Sequence, residues 1–269
     1  MISLLIGLAH AEGVATVEGI MMDLSQVLGD LEAKQVQITR LSMGIVFDDG
    51  IGYSVPVALT EGEALKIVGF GDRERIANLD IYVFDERGEV VAQDDATDNL
   101  PVVPFIAPRA GTYDVRVVIA DPVGEWELGF FAVAMGYDSP IPPISSLEPF
   151  EVTLAAAQVL EEEAYQFIHA EWLTLSEGET GFVQTRVDDW LLCSAYVGGS
   201  PSRTRKLDVY AADPFDRPRA HDRRHGELGK VDVIPEPSGE WMFALQARKL
   251  RSGFTDTHAV MVLGCTDGA

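Results

Sequence analysis

The residues best suited to chemistry form an acidic loop. Asp94, Asp95, Asp98 and Asn99 follow a predicted strand, Glu89 to Ala92. Carboxylate and amide oxygens are hard ligands, and Ca²⁺ takes about six to eight of them. The loop therefore predicts a calcium site, with no other cofactor required. The alternative is a solvated turn in which the Asp side chains bond to nearby backbone amides.

Two of the four tryptophans are candidates for ligand binding. An indole ring is mostly apolar with one polar group, and it can stack on a sugar ring. Trp126 and Trp241 stand where the strand pattern needs core aromatics, whereas Trp172 and Trp190 are free of that constraint. The latter pair are the predicted ligand-binding residues.

A basic stretch interrupts an otherwise acidic chain. Residues 203–251 contain 11 basic and 8 acidic residues, a net charge of +3, although the whole chain carries −23. Such a stretch suits docking of an acidic partner or of the other half of the chain, while interspersed solvated charges are the alternative. The docking candidates are Arg203, Arg205, Lys206, Arg219, Arg223 and Arg224.

The net charge and the motifs exclude several functions. A chain with 43 acidic and 20 basic residues is unsuited to binding nucleic acid, because such binders neutralise phosphates with basic residues. No GxSxG, HExxH, P-loop or Rossmann glycine pattern occurs. The prediction is a protein without catalytic activity, and a hydrolase with an unrecognised site is an alternative.

The chain contains two cysteines, Cys193 and Cys265. In an exported protein they would form one disulfide closing a loop of about 70 residues. In a reducing compartment, two separately buried thiols are the better interpretation.

The amino terminus resembles part of an export signal. Ile2 to Ala9 are mostly apolar, and Ala9-His10-Ala11 fits the small-x-small pattern of signal peptidase sites. The run lacks a basic region, so residues 1–11 are interpreted as a truncated signal peptide; a buried first strand of a cytosolic protein is the alternative. No segment is long and apolar enough to span a bilayer, and we expect a periplasmic or extracellular protein.

An internal repeat organises the rest of the chain. LDIYVFD at Leu79 and LDVYAAD at Leu207 lie 128 residues apart, and eleven identities follow that offset over residues 79–137. Tyr113 stands opposite Trp241 at the same offset. Upstream, LTEGE at Leu59 matches LSEGE at Leu175 at an offset of 116, which places an insertion of about a dozen residues around Cys193 in the second copy.

Each copy has the pattern of a β protein. Segments such as Tyr53 to Leu59 and Tyr113 to Ile119 alternate apolar and polar residues, and turn-forming residues separate them. Gly19 to Leu31 could be helical, and Val152 to Glu163 is predicted as a leading edge strand rather than a helix. The fold class is therefore all-β, with two tandem antiparallel, jelly-roll-like β-sandwich domains.

Prolines set the predicted domain boundary. Residues 138–149 contain Pro140, Pro142, Pro143 and Pro149, and proline disfavours both helix and inner strand. The predicted arrangement is a first domain at 12–137, a linker at 138–149 and a second domain at 150–269.

Four segments of the first copy, in order, carry a resemblance. The segments are GYSVPVALTEGEALKIVGFGD, LDIYVFDERGEVVAQDD, AGTYDVRVVI and GEWELGFFAV. Together they are similar to the bacterial pre-peptidase C-terminal domain, and the second copy resembles that domain more weakly. The resemblance implies a non-catalytic β-sandwich of exported proteins that assists secretion or localisation; its collagen-binding relatives hold calcium. Residues 1–269 carry no peptidase motif, so the accessory role that the resemblance implies does not carry over directly.

These observations predict a non-catalytic exported accessory module that binds a protein or a surface polymer. The alternative partner is a separate secreted peptidase, with which the chain would associate as a processing or secretion segment.

The calcium hypothesis predicts a thermal shift. Millimolar calcium should raise the Tm of the unmutated protein, because a ligand that binds only the folded state stabilises it. The shift should vanish in the Asp94→Ala, Asp98→Ala double variant, as measured by differential scanning fluorimetry. An unchanged Tm in the unmutated protein would contradict a calcium site.

Overall fold

The chain forms two compact units, Thr16–Ile144 and Ser145–Ala269. The computed structural model describes residues 20, 22, 24–48, 50–125, 128–140, 143–187, 191–223 and 228–266. The predicted signal peptide lies outside the described residues. Within them, no helix has the length and apolar character needed to cross a bilayer.

The first unit contains one described helix, α1 (residues 24–33), and eight strands. The strands are β1 (Val36–Phe47), β2 (Tyr53–Leu59), β3 (Ala64–Gly71), β4 (Ile76–Phe84), β5 (Val90–Asp94), β6 (Val102–Ile106), β7 (Gly111–Pro122) and β8 (Leu128–Asp138). They form two antiparallel sheets in the orders β1-β8-β3-β6 and β2-β7-β4-β5.

The second unit contains helix α2 (Leu147–Glu162) and eight further strands. These are β9 (Gln166–Ser176), β10 (Thr180–Val187), β11 (Leu192–Gly199), β12 (Thr204–Ala212), β13 (Pro218–Asp222), β14 (Leu228–Val233), β15 (Gly239–Leu250) and β16 (Asp256–Thr266). Their antiparallel sheets have the orders β9-β16-β11-β14 and β10-β15-β12-β13.

The two units have the same topology. Numbered within each unit, the strands pair as 1-8-3-6 and 2-7-4-5, which is the order of an eight-stranded jelly roll. Strands β4, β5, β7 and β8 begin 128 residues before β12, β13, β15 and β16. The predicted fold class of two tandem jelly-roll-like sandwiches is confirmed, and the offset of 128 aligns equivalent strands.

One buried ring anchors the same corner of each sandwich. Tyr113 and Trp241 are 2% and 0% exposed. The Tyr113 hydroxyl donates to the carbonyl of Arg109 at 2.8 Å, and the Trp241 indole N–H donates to the carbonyl of Pro237 at 3.2 Å. Each ring thus bonds to the backbone four residues upstream, as the tyrosine corner of β-sandwiches does.

The predicted offset of 116 for the upstream part of the repeat is wrong. LTEGE connects β2 to β3, whereas LSEGE connects β9 to β10, so the two segments are not equivalent. They look alike because each makes the same turn: Glu63 accepts from the Thr60 amide and Glu179 from the Ser176 amide, around glycines with positive φ. Strand β11 is the counterpart of β3, and Cys193 therefore lies in a regular strand and not in an insertion.

The predicted strand at Val152 to Glu163 is also wrong, because these residues belong to α2. Residues buried along α2 are Pro149, Thr153, Ala156, Ala157 and Leu160, the i, i+3, i+4 spacing of an amphipathic helix. In the first unit α1 buries Leu24 and Leu28. The repeat correctly made the leading segments equivalent, but both are helices.

Helix α2 packs on one sheet of the second unit. Thr153 Oγ1 accepts a hydrogen bond from the Trp172 indole at 2.6 Å. A Cβ added to Gly264 would lie 2.8 Å from Leu160 Cδ2, so only glycine allows the helix this close. The helix begins at Leu147, and β8 extends to Asp138, so both elements take residues from the predicted linker.

The two cysteines lie opposite one another in the ladder between β11 and β16. Their Cα atoms are 4.0 Å apart, and their sulfur atoms are bonded across 72 residues of sequence. Both are completely buried. The bond ties the third strand of the second sandwich to its last strand.

Removal of the disulfide should destabilise the second unit. In the chain-entropy description, opening a loop of this length lowers the free energy of unfolding by about 4 kcal/mol. The Cys193→Ala, Cys265→Ala double variant tests this value by urea denaturation. The unmutated protein should lose a similar amount in reducing agent; an unchanged urea midpoint there would contradict a stabilising bond.

Candidate functional site

The candidate site is the solvent-facing side of the sheet β10-β15-β12-β13 in the second unit. Successive strand residues point to opposite faces, and the core side is filled by Val183, Val209, Trp241, Phe243 and Leu245. The opposite side carries one row of residues across all four strands: Phe182, Ala244, Tyr210 and His221 are consecutive partners in the ladders. We call these four residues the ring row.

Two of the three rings in the ring row are exposed, and Tyr210 and Ala244 are half-buried. Phe182 is 55% exposed, and His221 is also exposed. Tyr210 and His221 stack with their centroids 6.3 Å apart at an interplanar angle of 22°. Ala244 stands between Phe182 and Tyr210 in the ladder, so a small side chain separates the rings of β10 and β12.

Charged side chains flank the ring row on the same face. The guanidinium carbon of Arg223 lies 5.3 Å from the Tyr210 centroid. Asp208, two residues before Tyr210, is 1% exposed and lies 3.4 Å from both Lys206 Nζ and Arg248 Nε. Two cations thus cover one carboxylate beside the rings.

The first unit provides an internal comparison for the ring row. At the offset of 128, the row corresponds to Ser54, Arg116, Tyr82 and Gln93, which are consecutive partners in the equivalent sheet. Only Tyr82 is a ring. Phe84 lies two residues from Tyr82 on the same face of the first unit, but that unit has no ring at the positions equivalent to Phe182 and His221, so the scaffold folds without rings at those two positions.

The structure brings together only part of the predicted docking set. Arg203, Arg205 and Lys206 lie at the start of β12, where the ladder places them beside Arg248, Lys249 and Arg251 at the end of β15. These two segments, 203–206 and 248–251, contain six basic residues and no acidic one. Arg223 lies one strand away, and Arg224 falls outside the described residues.

Arg219 belongs to another part of the sheet. It lies 2.7 Å from Asp213, which also binds Arg217 and accepts hydrogen bonds from two backbone amides. Burial raises the pKa of the Asp213 carboxyl, but the amides of Arg217 and Phe215 and the two guanidinium groups outweigh it and lower the pKa to about 2. Arg219 therefore holds a turn together, and its predicted role in docking is not supported by this contact.

The acidic loop uses its carboxylates to cap backbone amides. Asp94 accepts from Ala96 and Val102, and Asp98 accepts from Leu100. Asp95 accepts from Gln93, and Asn99 donates to the carbonyl of Gly71. In the part of the chain that the structure describes, no three His, Cys, Asp or Glu side chains form a group suited to a metal. Calcium binding stays a prediction, and the thermal shift is its test.

The prediction that Trp172 binds a ligand is wrong. Its ring is 1% exposed and lies against α2, because the helix that replaced the predicted edge strand covers this face of the sheet. Trp190 and Trp126 lie outside the described residues. Trp241 is a core residue, as predicted.

Sequence reasoning missed Phe182, Tyr210 and His221. A signal for them existed, since Tyr210 belongs to the repeated LDVYAAD segment and alternation places it opposite the core residues Val209 and Ala211. The incorrect offset of 116 hid the counterpart of Phe182. With the offset of 128, the change from Ser54 to Phe182 is visible in the sequence alone.

No protein-family model matches the chain, and no curated protein does. Membership of the pre-peptidase C-terminal family therefore stays a prediction.

Two examples represent the solved structures that the chain resembles. One contains the tandem CBM51 modules of a family 98 glycoside hydrolase from Streptococcus pneumoniae, at 10% identity and a TM-score of 0.28 over 82% of each chain. Another is PliG of Aeromonas hydrophila, a periplasmic inhibitor of g-type lysozyme, at 11% identity and a TM-score of 0.27 over 36% of this chain and 84% of that one. Overlaps at this level carry no information about a ligand.

The Asp213 turn should make stability depend on pH. The folded pKa of about 2 lies below the ordinary Asp pKa of 3.8, so the stabilisation is present above about pH 4 and is lost as pH falls towards 2. Asp213→Asn should be less stable than the unmutated protein at pH 7, with the difference shrinking between pH 4 and pH 2. Urea unfolding at these pH values measures it.

Asp216→Asn is the matched control, since Asp216 is an exposed carboxylate in the same turn. It should leave stability unchanged at every pH. A constant difference between Asp213→Asn and the unmutated protein across the pH range would contradict the assigned role.

Proposed function

We propose that this protein is a non-catalytic exported binding module, and that the ring row of its second unit holds a surface polymer. The observation that carries the proposal is the ring row itself, which runs across four strands with Phe182 and His221 exposed and has only Tyr82 as an aromatic equivalent in the first unit.

The ring row has the properties of a binding platform for sugar residues. Contiguous exposed apolar groups rimmed by polar residues mark interaction sites, whereas single exposed apolar side chains are common. Aromatic rings offer a rigid apolar face, and neighbouring polar groups fix the orientation of a ligand. Adjacent strands lie about 4.8 Å apart, so the rings on β10 and β12 stand about 10 Å apart, on the scale of a disaccharide.

The disulfide supports the exported part of the proposal. Structural disulfides persist in oxidising compartments and are rare in the cytosol. The bond between Cys193 and Cys265 lies within the core of the second unit, where it would stabilise the sandwich that carries the ring row.

Substitution of ring-row residues by their first-unit counterparts tests the proposal. Phe182→Ser with His221→Gln copies Ser54 and Gln93 and should weaken polymer binding roughly tenfold or more, the equivalent of about 1.4 kcal/mol. Native gels containing soluble β-glucan, galactomannan, alginate or polygalacturonate measure binding as retardation.

Two controls complete the test. Ser54→Ala changes the corresponding position in the first unit and should leave retardation unchanged, and the Tm should show that each variant is folded. If no polymer retards the unmutated protein, or if the double variant is retarded equally, the proposal is overturned.

A further inference from the structure

The charges at four positions that flank the ring row sum to opposite signs in the two units. In the second unit they are Lys206, Asp208, Arg223 and Arg248, a net charge of +2. At the offset of 128 the first unit has Asn78, Asp80, Asp95 and Ala120, a net charge of −2. The scaffold is the same in both units, so this inversion is not required by the fold.

The buried carboxylates Asp80 and Asp208 occupy equivalent positions but differ in the charges around them. They are 6% and 1% exposed, and the Oδ1 atom of each has no hydrogen-bond partner. Burial, and to a smaller degree the charges of Asp95 and Asp94, raise the pKa of Asp80 despite a hydrogen bond from Tyr82. Its counterpart Asp208 instead lies 3.4 Å from two cationic groups.

The cations of the second unit are more numerous than Asp208 requires. One carboxylate balances one of the three basic side chains, and Arg223 is exposed beside the rings. The side chain of Arg248 is 51% exposed while it contacts Asp208 and donates from Nη1 to Gln246 Oε1 at 3.3 Å. Two positive charges are therefore in excess next to the ring row.

We infer that the polymer held by the ring row is an acidic polysaccharide, whose sugar rings stack on Phe182 and Tyr210 and whose carboxylates pair with Arg223 and Arg248. This inference rests on the proposed function and adds the ligand's charge. Guanidinium groups bind carboxylates through paired N–H donors, and an acidic polysaccharide presents such groups at regular intervals along a chain of rings.

The combination of rings and cations favours a polysaccharide over an acidic protein. Cations alone would suit either partner. The ring row runs across the strands with Ala244 between two of its rings, a spacing that suits the repeated apolar faces of a sugar chain and has no counterpart in a run of acidic side chains.

Paired probes test the inference. Polygalacturonate and its carboxyl-reduced, neutral derivative share a sugar backbone, so their affinities compare charge directly by isothermal titration calorimetry. The acidic polymer should bind about tenfold tighter at about 50 mM NaCl, and most of that preference should be lost at about 500 mM because salt screens exposed charges. Poly-L-glutamate tests charge without sugar rings and should bind more weakly than polygalacturonate.

Arg223→Gln should reduce affinity for polygalacturonate several-fold and leave affinity for the neutral derivative unchanged. Arg87→Gln removes the same charge from an exposed turn of the first unit and should change neither. Phe182→Ser should weaken binding of both polymers.

Other outcomes separate this inference from the proposed function. Equal affinity for both polymers, with sensitivity to Phe182→Ser, overturns the acidic ligand and leaves the binding module intact. Poly-L-glutamate binding as tight as polygalacturonate overturns it in favour of an acidic protein. Binding of neither probe also overturns the acidic ligand. The neutral polymers in the native gels then show whether the ring row binds a polysaccharide at all.

Discussion

The alternation of side chains along a strand is the constraint on which the rest of this structure depends. Each sandwich must bury the inward side chains of two sheets, and this burial supplies most of the stability. The outward side chains of the β2-β7-β4-β5 and β10-β15-β12-β13 sheets are free of that requirement. Two copies of one jelly roll have therefore kept the same core anchors, Tyr113 and Trp241, while their outer faces have diverged.

The outer faces differ in the chemical type of their side chains. Ser54 and Gln93 of the first unit correspond to Phe182 and His221 of the second, and Asp95 corresponds to Arg223. Because equivalent positions have equivalent structural roles, each unit serves as the reference for the other. The comparison separates side chains that the fold needs, such as the carboxylates Asp85 and Asp213 that cap equivalent turns, from those that point to a ligand.

In this chain, two segments with similar turn sequences do not occupy equivalent places in the two units. The segments LTEGE and LSEGE make the same turn because a Thr or Ser three residues before a Glu, with Gly at positive φ, favours it wherever two strands must be joined. Similarity between such segments shows that both form the same turn. It does not show that they are equivalent positions of the two copies. The helix α2 was missed for a related reason, since an expected strand outweighed an i, i+3, i+4 pattern of buried residues.

The sequence by itself determined the fold class, the duplication at an offset of 128 and the core exchange of Tyr113 for Trp241, because period-two alternation and turn residues are local properties. The tertiary structure decided which side chains share a surface. Arg205 and Lys249 lie 44 positions apart in the chain, and Phe182 and Tyr210 lie 28 apart; only the strand order β10-β15-β12 places them on one sheet. The structure also removed Trp172 from the candidate site, because exposure depends on what packs against a strand and not on the strand itself.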